Sequence, residues 1–138
     1  MNLLSNTQSN YNSNPSDLAS SLETVMSMDS HRRKILVLGE MRELEGFSQM
    51  LHQEVGEKLG GLLKNHPAPV QVFGIGEETK ALIQGIKKNH PQAECHFSSQ
   101  VDLAEPQVLA LLEPNDILFV KGSRGVALDR IVQKLKSS

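Results

Sequence analysis

Apolar residues fall along this chain in two alternating rhythms. Short runs at residues 35–38, 70–73 (broken only by Gln71) and 117–120 are bounded by glycine, proline or charge. Between them, apolar residues recur three and four positions apart over longer stretches. A short unbroken apolar run predicts a strand buried on both faces, and the longer spacing predicts an amphipathic helix.

Residues 1–13, rich in Asn and Ser, carry no apolar period and predict a loose or extended start. At residue 14 a helix is expected. Asn14 suits the N-cap, Pro15 the first helical position and Asp17 the place of a capping-box acid, with Leu18, Leu22, Val25 and Met26 following at helical spacing. A basic entry from His31 to Lys34 leads into the first apolar run, which ends at Gly39. A helix from about Ser48 carries Met50, Leu51, Val55, Leu59, Leu62 and Leu63, and stops before Pro67 and Pro69. The second run closes on Gly74 and Gly76. The helix after it ends in Lys87, Lys88 and His90, as the helix dipole prefers. A short strand at residues 93–99 and a helix interrupted early by Pro106 come next. The run 117–120 and a last helix with Val126, Ile131, Val132 and Leu135 inward complete the pattern.

Strand and helix therefore alternate. That order predicts an α/β fold with a Rossmann-like, mostly parallel sheet and helices on both faces, one domain over residues 14–138 behind the segment 1–13. Ligands of such sheets gather at the carboxyl ends of the strands. Those ends are Gly39-Glu40, residues 74–76, Ser98-Ser99 and residues 121–125.

Composition narrows the function classes. With 138 residues, 38% hydrophobic and 22% charged, the chain suits a single folded core. The net charge of −2 and 4% aromatics, with no Trp, offer neither the basic excess nor the stacking platforms of a nucleic-acid binder. The apolar runs are far shorter than the ~20 residues of a membrane span. The start lacks the basic and apolar regions of a signal peptide. Cys95 is the only cysteine, which fits a reducing compartment. A cytoplasmic location follows as the expectation, with neither nucleic acid nor membrane as partner.

Candidate chemistry sits mostly at the strand ends. Lys121, Gly122, Ser123, Arg124 and Gly125 form a basic, glycine-flanked turn into a helix, either an anion site or a tight turn with solvated cations. The chain has no G-x-x-x-x-G-K-[ST] phosphate loop. "GIGEET" at residues 74–79 lacks the third glycine of a dinucleotide fingerprint and reads as a βα turn. Glu40, Glu43 and Glu45 are able to hold a metal or position an amine, or to form a charged loop. His52, inside a helix, faces either a ligand or the core, whereas His31, His66 and His90 look solvated at element ends. No H-x-x-x-H pair argues for zinc, and adjacent Cys95 and His96 point to opposite faces of a strand.

Five strings in one order carry a resemblance: "YNSNP", "RRKILVLGEMREL", "LHQEVGEKL", "HF" and "ILFVKGSRG". Together they resemble the C-terminal domain of Mur ligases over nearly the whole chain, most closely the branch that adds D-Ala-D-Ala to UDP-muramoyl-tripeptide. The resemblance implies ATP-dependent amide formation in peptidoglycan synthesis. ATP and Mg2+ would phosphorylate the tripeptide carboxylate, and the dipeptide amine would attack the acyl phosphate. It implies a lid domain that works with a first, UDP-sugar-binding domain and a central, ATP-binding one. Tyr11, Asn12 and Asn14 would lie near the nucleotide, and Lys121, Ser123 and Arg124 would help hold the dipeptide, with His52 nearby. Ser9 stands where the family pattern has an acid, and Glu45-Gly46 exchanges glycine and acid. Without a phosphate loop the chain alone is expected to be inactive. A non-catalytic binding or regulatory module descended from such a ligase is the alternative.

Overall fold

The computed structural model describes residues 2–6, 14–41 and 44–122. Within them, β1 (Asn2–Asn6), β2 (Lys34–Gly39), β3 (Val70–Ile75), β4 (Glu94–Ser98) and β5 (Ile117–Lys121) form one sheet in the order β1-β5-β2-β3-β4. Every pairing is parallel. The helices are α1 (Pro15–Ser27), α2 (Ser48–Lys64), α3 (Thr79–Asn89) and α4 (Val101–Leu111). This is the α/β architecture that the alternation implies.

The chirality of the crossovers explains which helix lies where. From β1 through β2 and β3 to β4 the chain steps in one direction across the sheet, and from β4 to β5 it steps back. With right-handed connections, the reversal moves α4 to the opposite face from α1, α2 and α3. The core divides accordingly. Leu36, Leu38, Val72 and Phe119 pack with Leu18, Leu22, Val55, Leu59, Leu82 and Ile86. Ile35, Val37, Phe73, Ile75, Leu118 and Val120 pack with Ala104 and Val108 of α4. Alternate residues of one strand thus feed two cores.

Local chemistry sets the helix starts and contacts. Asn14 caps α1: its Oδ1 accepts from the Asp17 N–H at 2.9 Å, and its Nδ2 donates to Asp17 Oδ2 at 2.8 Å. Pro15 occupies the first position, as expected. Helices α2 and α3 meet backbone to backbone, because a Cβ on Gly56 would land on the Leu82 carbonyl. Met50, which shares the helical spacing of the apolar residues, is 51% exposed instead. It lies on the outer side of α2, while the small Gly56 and Gly60 share the buried side with Val55, Leu59 and Leu63.

Two elements differ from the sequence reading. Helix α4 runs continuously through Pro106, where an early interruption was expected. A single proline removes one N–H from the ladder, and Ala104 and Val108 on either side of it are buried in the second core. The segment 1–13, read only as loose or extended, supplies β1 as an edge strand on β5. An edge strand in a parallel sheet needs backbone pairing on one side only, so it leaves little apolar signature.

At the amino-terminal end of the sheet, polar groups are internally matched. Arg33 reaches Glu113 Oε2 at 2.6 Å, Asp116 Oδ1 at 3.2 Å and the Leu111 carbonyl at 3.0 Å. Asp116 also accepts from the Glu113 N–H at 3.0 Å. Lys34, 1% exposed, donates to the carbonyls of Asp29 at 3.1 Å and Arg32 at 3.4 Å, and to His66 Nε2 at 3.1 Å. His66, expected in solvent, is thereby drawn into the structure by a buried ammonium.

Candidate functional site

The carboxyl ends of β2 and β5 lie side by side in the sheet. In open α/β sheets ligands gather beyond the carboxyl ends of the strands. The register pairs Leu38 with Lys121, so Gly39, Glu40 and Met41 lie beside Lys121 and Gly122.

Lys121 is 8% exposed and lies two residues beyond Phe119, on the α1 side of the sheet. Burial pushes its ammonium below the usual 10.5, and the Asp17 carboxylate in the first turn of α1 opposes that shift. Among the described residues no hydrogen bond engages the Lys121 ammonium. A largely buried lysine facing a carboxylate at a helix start has the charge to meet a further anionic group.

The end of β2 is built differently. Gly76 has φ +105°, a left-handed conformation that glycine adopts without strain, and a Cβ there would strike the Glu40 side chain. Glu40 Oε2 accepts the Glu78 N–H at 2.9 Å, so a carboxylate of the chain already closes the start of α3. The "GIGEET" turn is therefore a closed βα turn, as its acids suggested. Met41 donates its N–H to His52 Nε2 at 3.0 Å, and His52 Nδ1 lies 2.8 Å from the Ser48 carbonyl.

These contacts place the expected site residues. Asp17, in the first turn of α1, acts on the Lys121 ammonium. The amide of Asn14 is engaged at both ends by Asp17, so its visible work is to start α1. His52, read as facing either a ligand or the core, is fully buried, and both ring nitrogens are held by the chain itself. Tyr11, Asn12, Ser123 and Arg124 lie outside the described residues, as do Glu43 and the expected last helix. Cys95 packs against the first core while His96 stacks on Phe73, at 4.5 Å between centroids, in the second. Sequence reasoning missed the action of Asp17 on Lys121, since Asp17 already had a sufficient local role as a capping acid.

Among the described residues, the start of α3 is already met by a carboxylate of the chain. No group of three His, Cys, Asp or Glu among them converges to hold an ion. The one glycine turn that opens a helix is closed by Glu40. Also among them, no helix is long and apolar enough to cross a membrane.

A parallel α/β domain whose β2 exit is held by α2 and α3 and whose β5 ends on a largely buried lysine is the class that fold and site define. A family model described as "Mur ligase, glutamate ligase domain" matches residues 9–124. The chain belongs to that family. It is 27% identical over 130 residues to the UDP-N-acetylmuramoyl-tripeptide–D-alanyl-D-alanine ligase of Bacillus subtilis, covering 93% of this chain and 27% of that protein. It is 30% identical over 126 residues to the ligase of the same name from Buchnera aphidicola, covering 91% of this chain and 25% of that one. The MurF ligase from Thermotoga maritima in complex with ADP shares the fold, with a TM-score of 0.70 at 20% identity over 98% of this chain and 28% of that chain. The chain spans about a quarter of the length of the curated relatives it matches.

Proposed function

We infer that this chain is the C-terminal lid domain of an ATP-dependent ligase that joins D-Ala-D-Ala to UDP-muramoyl-tripeptide, acting with a first, UDP-sugar-binding domain and a central, ATP-binding one. The carrying observation is Lys121, a largely buried lysine that takes no hydrogen-bond acceptor from the described residues, at the carboxyl end of the sheet in a domain of this family. In this reading the Lys121 ammonium binds the dipeptide carboxylate, helped by the Ser123 hydroxyl and the Arg124 guanidinium of the same turn. Tyr11 and Asn12, just ahead of the Asn14 cap, meet the nucleotide. ATP and Mg2+ are held by the central domain and supply the activation of the tripeptide carboxylate. The lid binds and orients the amine component and excludes water, which is how a closing domain raises the rate of an amide-forming step. Such a protein works in the cytoplasm, where its nucleotide substrates are.

The test is a chimera in which this chain replaces the matching quarter of the Bacillus subtilis relative. Formation of UDP-muramoyl-pentapeptide, ADP and phosphate is the expected result, while the chain by itself yields none. A chimera that folds, binds ATP and still makes no pentapeptide would favour a second reading, a non-catalytic module of the same descent. The departures at Ser9 and Glu45-Gly46 support that second reading.

A further inference from the structure

We propose that His52 and Glu40 form a two-sided clamp that fixes the exit of β2, and that His52 is a positioning residue for the strand end beside Lys121. The kinetic half of this inference rests on the ligase reading, and the structural half does not. The geometry leaves one arrangement of the His52 ring. A backbone N–H only donates, so Nε2, 3.0 Å from the Met41 nitrogen, must present a lone pair. A carbonyl oxygen only accepts, so Nδ1, 2.8 Å from the Ser48 carbonyl, must carry the hydrogen. The ring is therefore neutral, in the Nδ1–H tautomer, and fully buried. One residue earlier in the chain, Glu40 lies over Gly76 and accepts the Glu78 N–H at 2.9 Å.

Two consecutive residues are thus held by two different helices, Met41 from α2 and Glu40 from α3. The Met41 side chain, 2% exposed, adds a third anchor in the first core. Because Gly56 lets α2 and α3 touch through their backbones, both halves of the clamp belong to one rigid layer. The β2 exit is preformed, and a ligand gripped at Lys121 meets beside it a surface that needs no ordering when it binds.

His52→Phe keeps the ring and removes both bonds, whereas His52→Gln keeps an acceptor for Met41. In the chain itself, imidazole 15N shifts should show the Nδ1–H tautomer. His52→Phe should speed exchange of the Met41 amide by about tenfold or more, the scale of one lost hydrogen bond, and His52→Gln should restore most of the protection. In the chimera, His52→Phe should raise the dipeptide KM about fivefold with little change in kcat, and His52→Gln should bring KM back. If His52→Phe fails to fold, Glu40→Ala tests the other side through exchange of the Glu78 amide and the same KM. Unchanged exchange in the variants overturns the clamp. Faster exchange with an unchanged KM, in a chimera where Lys121→Met does raise KM, overturns the positioning role and leaves the ligase reading intact. An inactive parent chimera counts against the ligase reading alone, and the exchange data still decide the clamp.

Discussion

Two buried lysines stand at opposite ends of neighbouring parallel strands, and they are not alike. Lys34 opens β2 and is 1% exposed; Lys121 closes β5 and is 8% exposed. Burial lowers the pKa of both ammonium groups from the usual 10.5, opposed by Asp29 for Lys34 and by Asp17 for Lys121. Yet Lys34 has an acceptor for each of its three N–H groups, two carbonyls and the His66 ring. Lys121 has no hydrogen-bond acceptor among the described residues. A satisfied buried cation holds structure together. Lys121 instead lies at the carboxyl end of the sheet, where ligands of open α/β sheets gather, and takes no acceptor from the described residues.

The contrast can be strained from its strongest point downward. The largest effect is expected at Asp116, 3% exposed on its side chain and bonded to both Arg33 Nε and the Glu113 N–H. Asp116→Ala leaves both donors without their acceptor and should lower stability by about 2–3 kcal/mol in urea unfolding. This discounts the partly exposed Arg33. Lys34→Met should follow, at about 1–2 kcal/mol, because relief from burying a charge only partly offsets three acceptors left unmatched. Lys121→Met should change stability by less than about 0.5 kcal/mol, with no hydrogen bond to lose. If Lys121→Met proves as damaging as Lys34→Met, the distinction between the two ends fails.

The smallest effect is a pH dependence. A lysine whose folded pKa is depressed binds fewer protons in the folded chain than in the unfolded one between that lowered value and 10.5. Stability should therefore rise as pH climbs through that window, and the cost of burial should be fully present at neutral pH. Urea midpoints measured from neutral pH toward 10.5 should show the slope, and it should shrink in each lysine variant. An unchanged slope in the double variant would mean that neither lysine causes it.

Much of this was legible in the sequence, for identifiable reasons. The runs at 35–38 and 117–120 announce β2 and β5 because strands covered on both faces need apolar residues at every position. Asn14-Pro15-Ser16-Asp17 announces α1 because capping is local chemistry. The Lys121 turn stood out as a candidate anion site because basic residues, glycines and a strand end coincide there. What stayed hidden depends on partners far away in sequence. His52 is 11 residues from Met41, and Glu40 is 38 from Glu78, so neither half of the clamp has a local signature. Lys34 and His66 are 32 residues apart, and a basic entry to a strand reads as solvated until the fold brings three acceptors to it. Residues Asn2–Asn6 escaped notice because backbone pairing with β5, not hydrophobic pattern, makes them a strand.

One measurement bears most directly on the central claim, that the β5 exit receives the carboxylate of an incoming dipeptide. It is the steady-state comparison of Lys121→Met with the parent in the chimera, varying D-Ala-D-Ala at saturating ATP and UDP-muramoyl-tripeptide. Loss of a charge-assisted hydrogen bond, about 1.5–3 kcal/mol, should lower kcat/KM for the dipeptide by roughly 10- to 150-fold and leave the KM for ATP unchanged. Equal kcat/KM for D-Ala-D-Ala in the two proteins would contradict the claim.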